Sequence, residues 1–302
     1  MRVLIVGTNG MVGRDLVRLF QEDDKKYHLT FCNSDNFMET LLKLEQFDVI
    51  FNCSNEEISK ILYEKMSDKS VYIDNSSYLR QNEKVPLVVP EINFVASKVY
   101  ANPNCVTIIL TLFLNSIKSL SPVKINVSTY QSLSGAGREK FKRFLLDTKE
   151  TLNDLDAVIP LASYDYNKLG FNFYPHESKK NIYGYSGEEE KIMFETKKII
   201  DMKVFPTCVR VPAVRCHGES VNMTFEREDL SKEIFLKLFE ENGVKYDDKI
   251  DCLSNEFNEG ISVGHLRQNR YDKREWSFFV VGDQLTRGAS YNAFKIFKKC
   301  GF

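Results

Sequence analysis

Residues 2–6 (RVLIV) form a short, nearly continuous apolar run that ends at a glycine, the pattern of a strand buried on both faces. The glycine-spaced segment Gly7-Thr8-Asn9-Gly10-Met11-Val12-Gly13 follows, and then DLVRLF with helical periodicity. Strand, glycine turn and helix in this order open a dinucleotide-binding unit: the glycines let backbone approach a pyrophosphate, and the helix N-terminus offers N–H donors and a positive dipole. The same spacing also suits a tight turn without a ligand. Alternation continues with strands expected at 27–32, 47–53 and 70–73 and helices at 37–45 and 55–66, which implies a parallel sheet with right-handed crossovers. Segments 85–89 and 97–101 are candidate further strands, and 106–118 reads as an apolar helix after the turn Asn102-Pro103-Asn104-Cys105.

Near residue 123 the pattern changes. Segments 124–131, 205–214, 220–226, 261–269 and 275–285 are β-like, with helices expected at 136–152, 187–200 and 230–242, so the second part reads as a mostly antiparallel sheet with helices. Residues 286–300 read as one amphipathic helix. The expected fold class is α/β: an N-terminal Rossmann-like parallel-sheet domain plus an α+β domain.

The 302 residues are 43% hydrophobic and carry 41 basic against 42 acidic side chains, a formal net charge of −1. That balance excludes a basic footprint for nucleic acid or an anionic membrane. The first apolar run is too short for a signal peptide, and no stretch is long and apolar enough to span a bilayer, so a cytoplasmic location is expected. The seven cysteines include no CxxC pair and read as reduced and mostly structural; no metal site is expected.

Cys105 follows a proline turn at the expected start of a helix, where the dipole favours a thiolate, the one side chain here that readily attacks an acyl group near neutral pH. A lone cysteine equally reads as buried filler. His217 lies just past the expected strand 207–214, which would place Arg210, Pro212 and Val214 on one face; it fits a general base or a hydrogen-bonded structural histidine. Glu188 and Lys191 are three apart on a predicted helix and share a face, as a site pair or as an exposed ion pair. Ser134-Gly135-Ala136-Gly137 is a turn that permits close backbone approach, or an ordinary loop.

Taken together, these segments resemble the aspartate-semialdehyde dehydrogenase family. The likeness runs over nearly the whole chain: GTNGMVG (7–13), IDNSSYLR (73–80), PLVVPEIN (86–93), ANPNCVT (101–107), VSTYQSLSGAG (127–137), GYSGEEEKIMFETKKI (184–199), CVRVPAVRCHGESV (208–221) and GDQLTRGASYNAFKI (282–296). The resemblance implies a dinucleotide-binding domain of residues 1–122 and 284–302, closed by the returning C-terminal helix, and a catalytic and dimerisation domain of 123–283. It implies NADP- or NAD-dependent reduction of L-aspartyl 4-phosphate to L-aspartate 4-semialdehyde through a cysteine thioester, in the biosynthesis of lysine, methionine and threonine, by a homodimer. Cys105 would be the nucleophile, His217 the acid–base group, and Gln131 the residue orienting the carbonyl. Arg210 would pair with the substrate α-carboxylate and Glu188 with its ammonium, Glu189 being the alternative in the neighbouring register. Arg80, Asn104 and Lys191 would bind phosphate. Gly7 to Gly13, Ser34, Asp35, Ser134, Gly135 and Gln284 would hold the cofactor.

The chain departs from the family pattern in places. Cys32-Asn33-Ser34-Asp35 lacks the arginine that many members use for the NADP 2′-phosphate, and Asp35 suits a free ribose hydroxyl instead, which brings NAD into consideration. Cys53-Ser54-Asn55 stands where small residues usually line the nicotinamide site, and Val106 replaces a serine or threonine. An N-acetyl-glutamyl-phosphate reductase is a second enzyme reading, although that family prefers Asn-Pro-Gly-Cys-Tyr at the nucleophile. A catalytically retired nucleotide- or partner-binding protein is the reading from another class.

Overall fold

The computed structural model describes residues 1–153 and 169–302. In the N-terminal part, β1 (Arg2–Val6), β2 (His28–Cys32), β3 (Val49–Asn52), β4 (Val71–Asp74) and β5 (Val99–Ala101) form a parallel sheet in the order β2-β1-β3-β4-β5. Central strands β1 and β3 are buried on both faces, as their unbroken apolar runs require. Val3 and Ile5 of β1 pack on one side with Leu16, Phe20 and Phe297, and Leu4 and Val6 on the other with Leu62, Tyr72 and Ile108. Helices α1 (Met11–Glu22), the short α2 (Phe37–Leu41) and α3 (Glu56–Lys65) connect the strands. Strand order reverses between β1 and β3, and a crevice opens beyond their carboxyl ends, as open α/β sheets favour.

Helix α4 (Cys105–Ile117) is apolar all round and is therefore buried between layers. Ile108 joins the core of the parallel sheet, while Val106, Ile109, Leu110 and Phe113 join that of the second sheet. The second sheet contains β6 (Pro122–Gln131), β7 (Tyr174–Pro175), β8 (Phe205–Arg210), β9 (His217–Phe225), β10 (Lys245–Tyr246), β11 (Ile261–Gln268) and β12 (Glu275–Gly282), in the order β10-β11-β12-β9-β6-β8-β7. Its pairings are antiparallel except β10 with β11 and β6 with β8. Around it lie α5 (Arg138–Asn153), α6 (Gly187–Ile200) and α7 (Lys232–Glu241), the last contributing Phe235 and Phe239 to the core.

Three expectations need correction. Residues 85–89 form no strand, only a bridge from Leu87 to Ala101. The strand expected at 205–214 ends at Arg210, so Pro212 and Val214 do not share its strand face, and the next strand begins early, at His217. The expected C-terminal helix is two pieces: a π-helical turn, Thr286–Ser290, then α8 (Tyr291–Lys299), which packs Phe294 and Phe297 on Phe20 at centroid distances of 5.0 and 5.1 Å. Arg215 ties the junction by donating from Nε to Asp283 at 2.5 Å and from Nη2 to Thr286 at 2.9 Å, and Thr286 donates in turn to Asp15 of α1 at 2.9 Å.

The π turn exists where backbone meets the start of α4. A Cβ on Gly288 would stand 2.8 Å from Cys105 Cβ and 3.1 Å from its Cα, inside contact distance. Gly288→Ala is expected to cost about 1–3 kcal/mol by overpacking and to slow any reaction that uses Cys105. Thermal melting and turnover of the variant check this; a native melting point with native turnover would contradict the close approach.

Candidate functional site

Register assembles the site. In the second sheet Gln131 pairs with Arg210 on one side and with His217 on the other, and His217 pairs with Gly282. Alternation turns Arg210, Gln131 and His217 to the buried face, so three polar side chains from three strands stand in one row, each 4% exposed or less. Cys105, the first residue of α4, lies over this row with its Sγ 3.5 Å from His217 Nε2. Gly135 stands against the histidine ring: a Cβ there would lie 3.0 Å from Cε1.

Each member of the row has a local partner. His217 Nδ1 accepts the Ser132 backbone N–H at 3.1 Å, which leaves the ring proton of the neutral imidazole on Nε2, facing the sulfur. Gln131 Nε2 donates to Thr129 Oγ1 at 3.2 Å. Arg210 Nη1 donates to Gln131 Oε1 at 3.4 Å and to the Ser132 carbonyl at 3.2 Å, and Nη2 lies 2.6 Å from His176 Nε2. Three of the five guanidinium N–H groups are thus engaged, and Nε has no hydrogen-bond partner among the described residues, although Glu177 Oε2 lies 3.7 Å away.

The thiol is not the resting thiolate that a helix N-terminus suggests. Burial, then the charge of Glu188, push Cys105 up to about 12, against the downward pull of Arg80, Arg210 and the Val106 N–H. Burial, then Arg210, hold His217 down at about 3. Thiol and imidazole are therefore both neutral near pH 7, burial outweighing the pull of Arg80, Arg210 and the Val106 N–H on the thiol.

Helix α6 supplies the facing wall. Ser186 caps it and forms a capping box with Glu189, whose Oε1 also accepts the Cys208 N–H at 3.1 Å. Glu189 is thereby structural, and Glu188 is the residue directed at the cleft: its Oε1 accepts from Asn104 Nδ2 at 2.8 Å, and its Oε2 lies 3.5 Å from Lys191 Nζ. Asn104 is the N-cap of α4, with Oδ1 accepting the Val106 N–H at 2.9 Å, so it sets the helix start besides lining the cleft. Arg80 donates through Nη1 to Glu195 and through Nη2 to the Asn75 carbonyl, at 3.2 and 2.9 Å.

These groups line one cleft of about 750 Å³ that includes Arg80, Asn104, Cys105, Gln131, Glu188, Lys191 and Arg210, and continues past Gly10, Met11, Val12, Ser134, Gly135 and Gln284. The far end suits a dinucleotide. Gly7 has φ +88° and packs against the Cys53 carbonyl, α1 has neither a side-chain cap nor an acid in its first turn, and Gln284 Oε1 is buried without a partner among the described residues. Thr8 and Asn9 belong to the same turn and Gly13 to the first turn of α1, none of them lining the cleft. Ser34 and Asp35 lie in the turn after β2, outside the cleft lining, where the Asp35 N–H donates to Asn33 at 2.8 Å.

His176 and Glu195 were not singled out in the sequence. His176 follows a two-residue strand too short to show a period, and Glu195 reads as one more charge on a helix rich in them. No group of three or more metal-ligating side chains gathers among the described residues, and no helix there is long and apolar enough to cross a membrane.

Residues 116–287 match the family model for the semialdehyde dehydrogenase dimerisation domain, and 37–99 match that for the semialdehyde dehydrogenase NAD binding domain. An aspartate-semialdehyde dehydrogenase of Helicobacter pylori is 34% identical over 97% of this chain and 96% of its own length. The chain belongs to the aspartate-semialdehyde dehydrogenase family. An Aquifex aeolicus member is 32% identical over 98% of this chain and 96% of its own. The crystal structure of aspartate semialdehyde dehydrogenase II complexed with ASA from Vibrio cholerae superposes with a TM-score of 0.85, at 26% identity over 98% of this chain and 97% of that one. The Candida albicans enzyme, solved with NADP, shares the fold at a TM-score of 0.68 and 18% identity over 99% of both chains. The chain is an oxidoreductase of this family with a nicotinamide-binding domain.

The raised thiol has a direct readout. Alkylation of Cys105 by iodoacetamide in the free enzyme is expected to accelerate about tenfold per pH unit from about pH 7 to about pH 10, because only the thiolate reacts. A plateau below about pH 8 would show a resting thiolate and contradict the effect of burial.

Proposed function

We propose that the chain reduces L-aspartyl 4-phosphate to L-aspartate 4-semialdehyde and phosphate, reversibly, through a thioester on Cys105. The observation that carries this reading is the Cys105–His217 contact at a cleft lined by Arg80, Lys191, Arg210 and Glu188. The substrate carries a phosphate, an α-carboxylate and an α-ammonium, and the cleft offers cations for the first two and an anion for the third.

Arg210 receives the carboxylate through guanidinium N–H groups that its hydrogen bonds leave free, with the Glu177 carboxylate 3.7 Å from its Nε. Glu188, held down mainly by Lys191 and His176 against its burial, keeps its charge for the ammonium. Arg80 and Lys191 receive the phosphate, with the remaining Asn104 Nδ2 hydrogen. Cys105 Sγ attacks the acyl carbon, the bond from that carbon to the phosphate oxygen breaks, and the thiol proton ends on the departing phosphate. His217 Nε2–H hydrogen-bonds the sulfur as it gains charge and then the oxygen of the tetrahedral species without giving up its proton, and as the C–S bond breaks the leaving sulfur takes a proton from solvent, which restores the thiol. Gln131 orients the carbonyl with its second amide hydrogen.

The turn Gly7–Gly13, Ser134, Gly135 and Gln284 fit a nicotinamide dinucleotide: the open N-terminus of α1 suits the pyrophosphate, and the free Gln284 Oε1 suits an amide N–H. When bound, that cofactor supplies the hydride that takes the thioester to the aldehyde level. NADP is the proposed cofactor. NAD is a second reading, favoured by the acidic Asp35 and the lack of an arginine at 33–35. We also read the chain as two domains, 1–122 with 284–302 and 123–283, the second pairing with its copy in a homodimer; Tyr130 and Phe205 stand exposed on the outer face of its sheet.

The test is the reverse reaction, with purified protein, aspartate semialdehyde and orthophosphate, and NADP or NAD in parallel. Reduction of the nicotinamide is expected to require phosphate, with kcat/KM larger for NADP. A larger value for NAD would make Asp35 decisive, and no signal from folded protein with either cofactor would sink the proposed reaction.

A further inference from the structure

Glu195 occupies the same face of α6 as Glu188 and Lys191, two turns along from Glu188, but it does not open on the substrate-carboxylate end of the cleft. It is 1% exposed. Its two oxygens are divided between two parts of the reaction centre. Oε2 accepts the backbone N–H of Asn104, the residue that caps α4 and precedes the nucleophile, at 2.6 Å. Oε1 accepts Nη1 of Arg80 at 3.2 Å. The Asn75 carbonyl holds Arg80 Nη2 at 2.9 Å, and Arg80 Nε is buried without a hydrogen-bond partner among the described residues.

A buried ion pair contributes little net stability, because desolvation consumes most of the attraction. Burial indeed raises the Glu195 carboxyl against the pull of Arg80 and the Asn104 N–H. What the pair does supply is geometry. A single rigid carboxylate fixes the distance between the guanidinium and the first residues of α4, and two anchored Nη atoms leave the arginine only its Nε edge and outer hydrogens to offer a ligand.

We propose that Glu195 is a positioning residue that sets Arg80 relative to Cys105, so that the leaving phosphate is received in line with the C–O bond that breaks. The proposal rests on Arg80 being a phosphate ligand. It assigns Glu195 an effect on phosphate and little on the amino-acid end, which Arg210 serves from β8 and Glu188 from the first turn of α6.

The experiment measures the phosphate-dependent reverse reaction of the full chain as native enzyme, Glu195→Gln, Glu195→Asp and Arg80→Ala. In Glu195→Gln the amide oxygen accepts from one of the two donors while the amide N–H₂ confronts the other. KM for orthophosphate is expected to rise about tenfold or more, the scale of one charged hydrogen bond, while KM for aspartate semialdehyde stays within about twofold. Glu195→Asp keeps the charge and is expected to recover part of the phosphate KM; if Glu195→Gln does not fold, the same selective rise in Glu195→Asp carries the test. A fall in kcat alone, or an equal rise in both KM values, in a variant that melts like native enzyme, would reduce Glu195 to a structural residue and overturn the proposal. If Arg80→Ala leaves the phosphate KM unchanged, the phosphate assignment of Arg80 fails and takes this proposal with it. If Arg80→Ala raises that KM and neither Glu195 variant does, the positioning role alone is wrong.

Discussion

The first turn of α4 is held from four sides, and the chemistry depends on that seating. Below it, the His217 imidazole meets Cys105 Sγ. Behind it, the π turn brings Gly288 so close that no Cβ fits. From α6, Glu188 bonds the Asn104 side chain and Glu195 bonds the Asn104 backbone. Within the helix itself, Asn104 Oδ1 caps the N–H groups of Val106 and Thr107. Because α4 is apolar on every face, it also joins the cores of both sheets, so Cys105 stands at the junction of the two sheets. The cleft follows that junction, with dinucleotide-binding features on one side and the polar row of the second sheet on the other.

Burial has an electrostatic consequence. The same desolvation that raises the Cys105 thiol lowers His217, so the resting pair carries no charge. The charges sit around it instead: Arg80, Lys191 and Arg210 with Glu188. This arrangement is complementary to a substrate with two anionic ends and one cationic group. In the proposed reaction the Nε2–H of His217 would act, in this low-dielectric space, on the charge that develops at Cys105.

Much of this was readable from the chain. The unbroken runs of β1 and β3, the alternation in β6 and β9, and the apolar α4 all announce their burial. The glycine turn, Cys105, Arg210 and His217 could be singled out as candidates from position and residue type. What escaped had physical reasons. Strands β7 and β10 have two residues each and show no period. The 85–89 segment is apolar because its side chains enter the cores of the parallel sheet while it runs beside β5, where it forms a single bridge instead of a ladder. Glu195 and His176 are defined by partners more than thirty residues away, which no local pattern reveals. The helix start at Cys105 is visible in the sequence, whereas the burial that raises its thiol is not.

The central claim is a thioester on Cys105, and the most direct measurement is to trap it. Enzyme mixed with aspartate semialdehyde and NADP, with phosphate omitted, lacks the acceptor that would release the acyl group. One equivalent of reduced nicotinamide per site is expected, with an acyl adduct that peptide mass spectrometry places on Cys105. An adduct on another residue, or sustained turnover without phosphate, would contradict it.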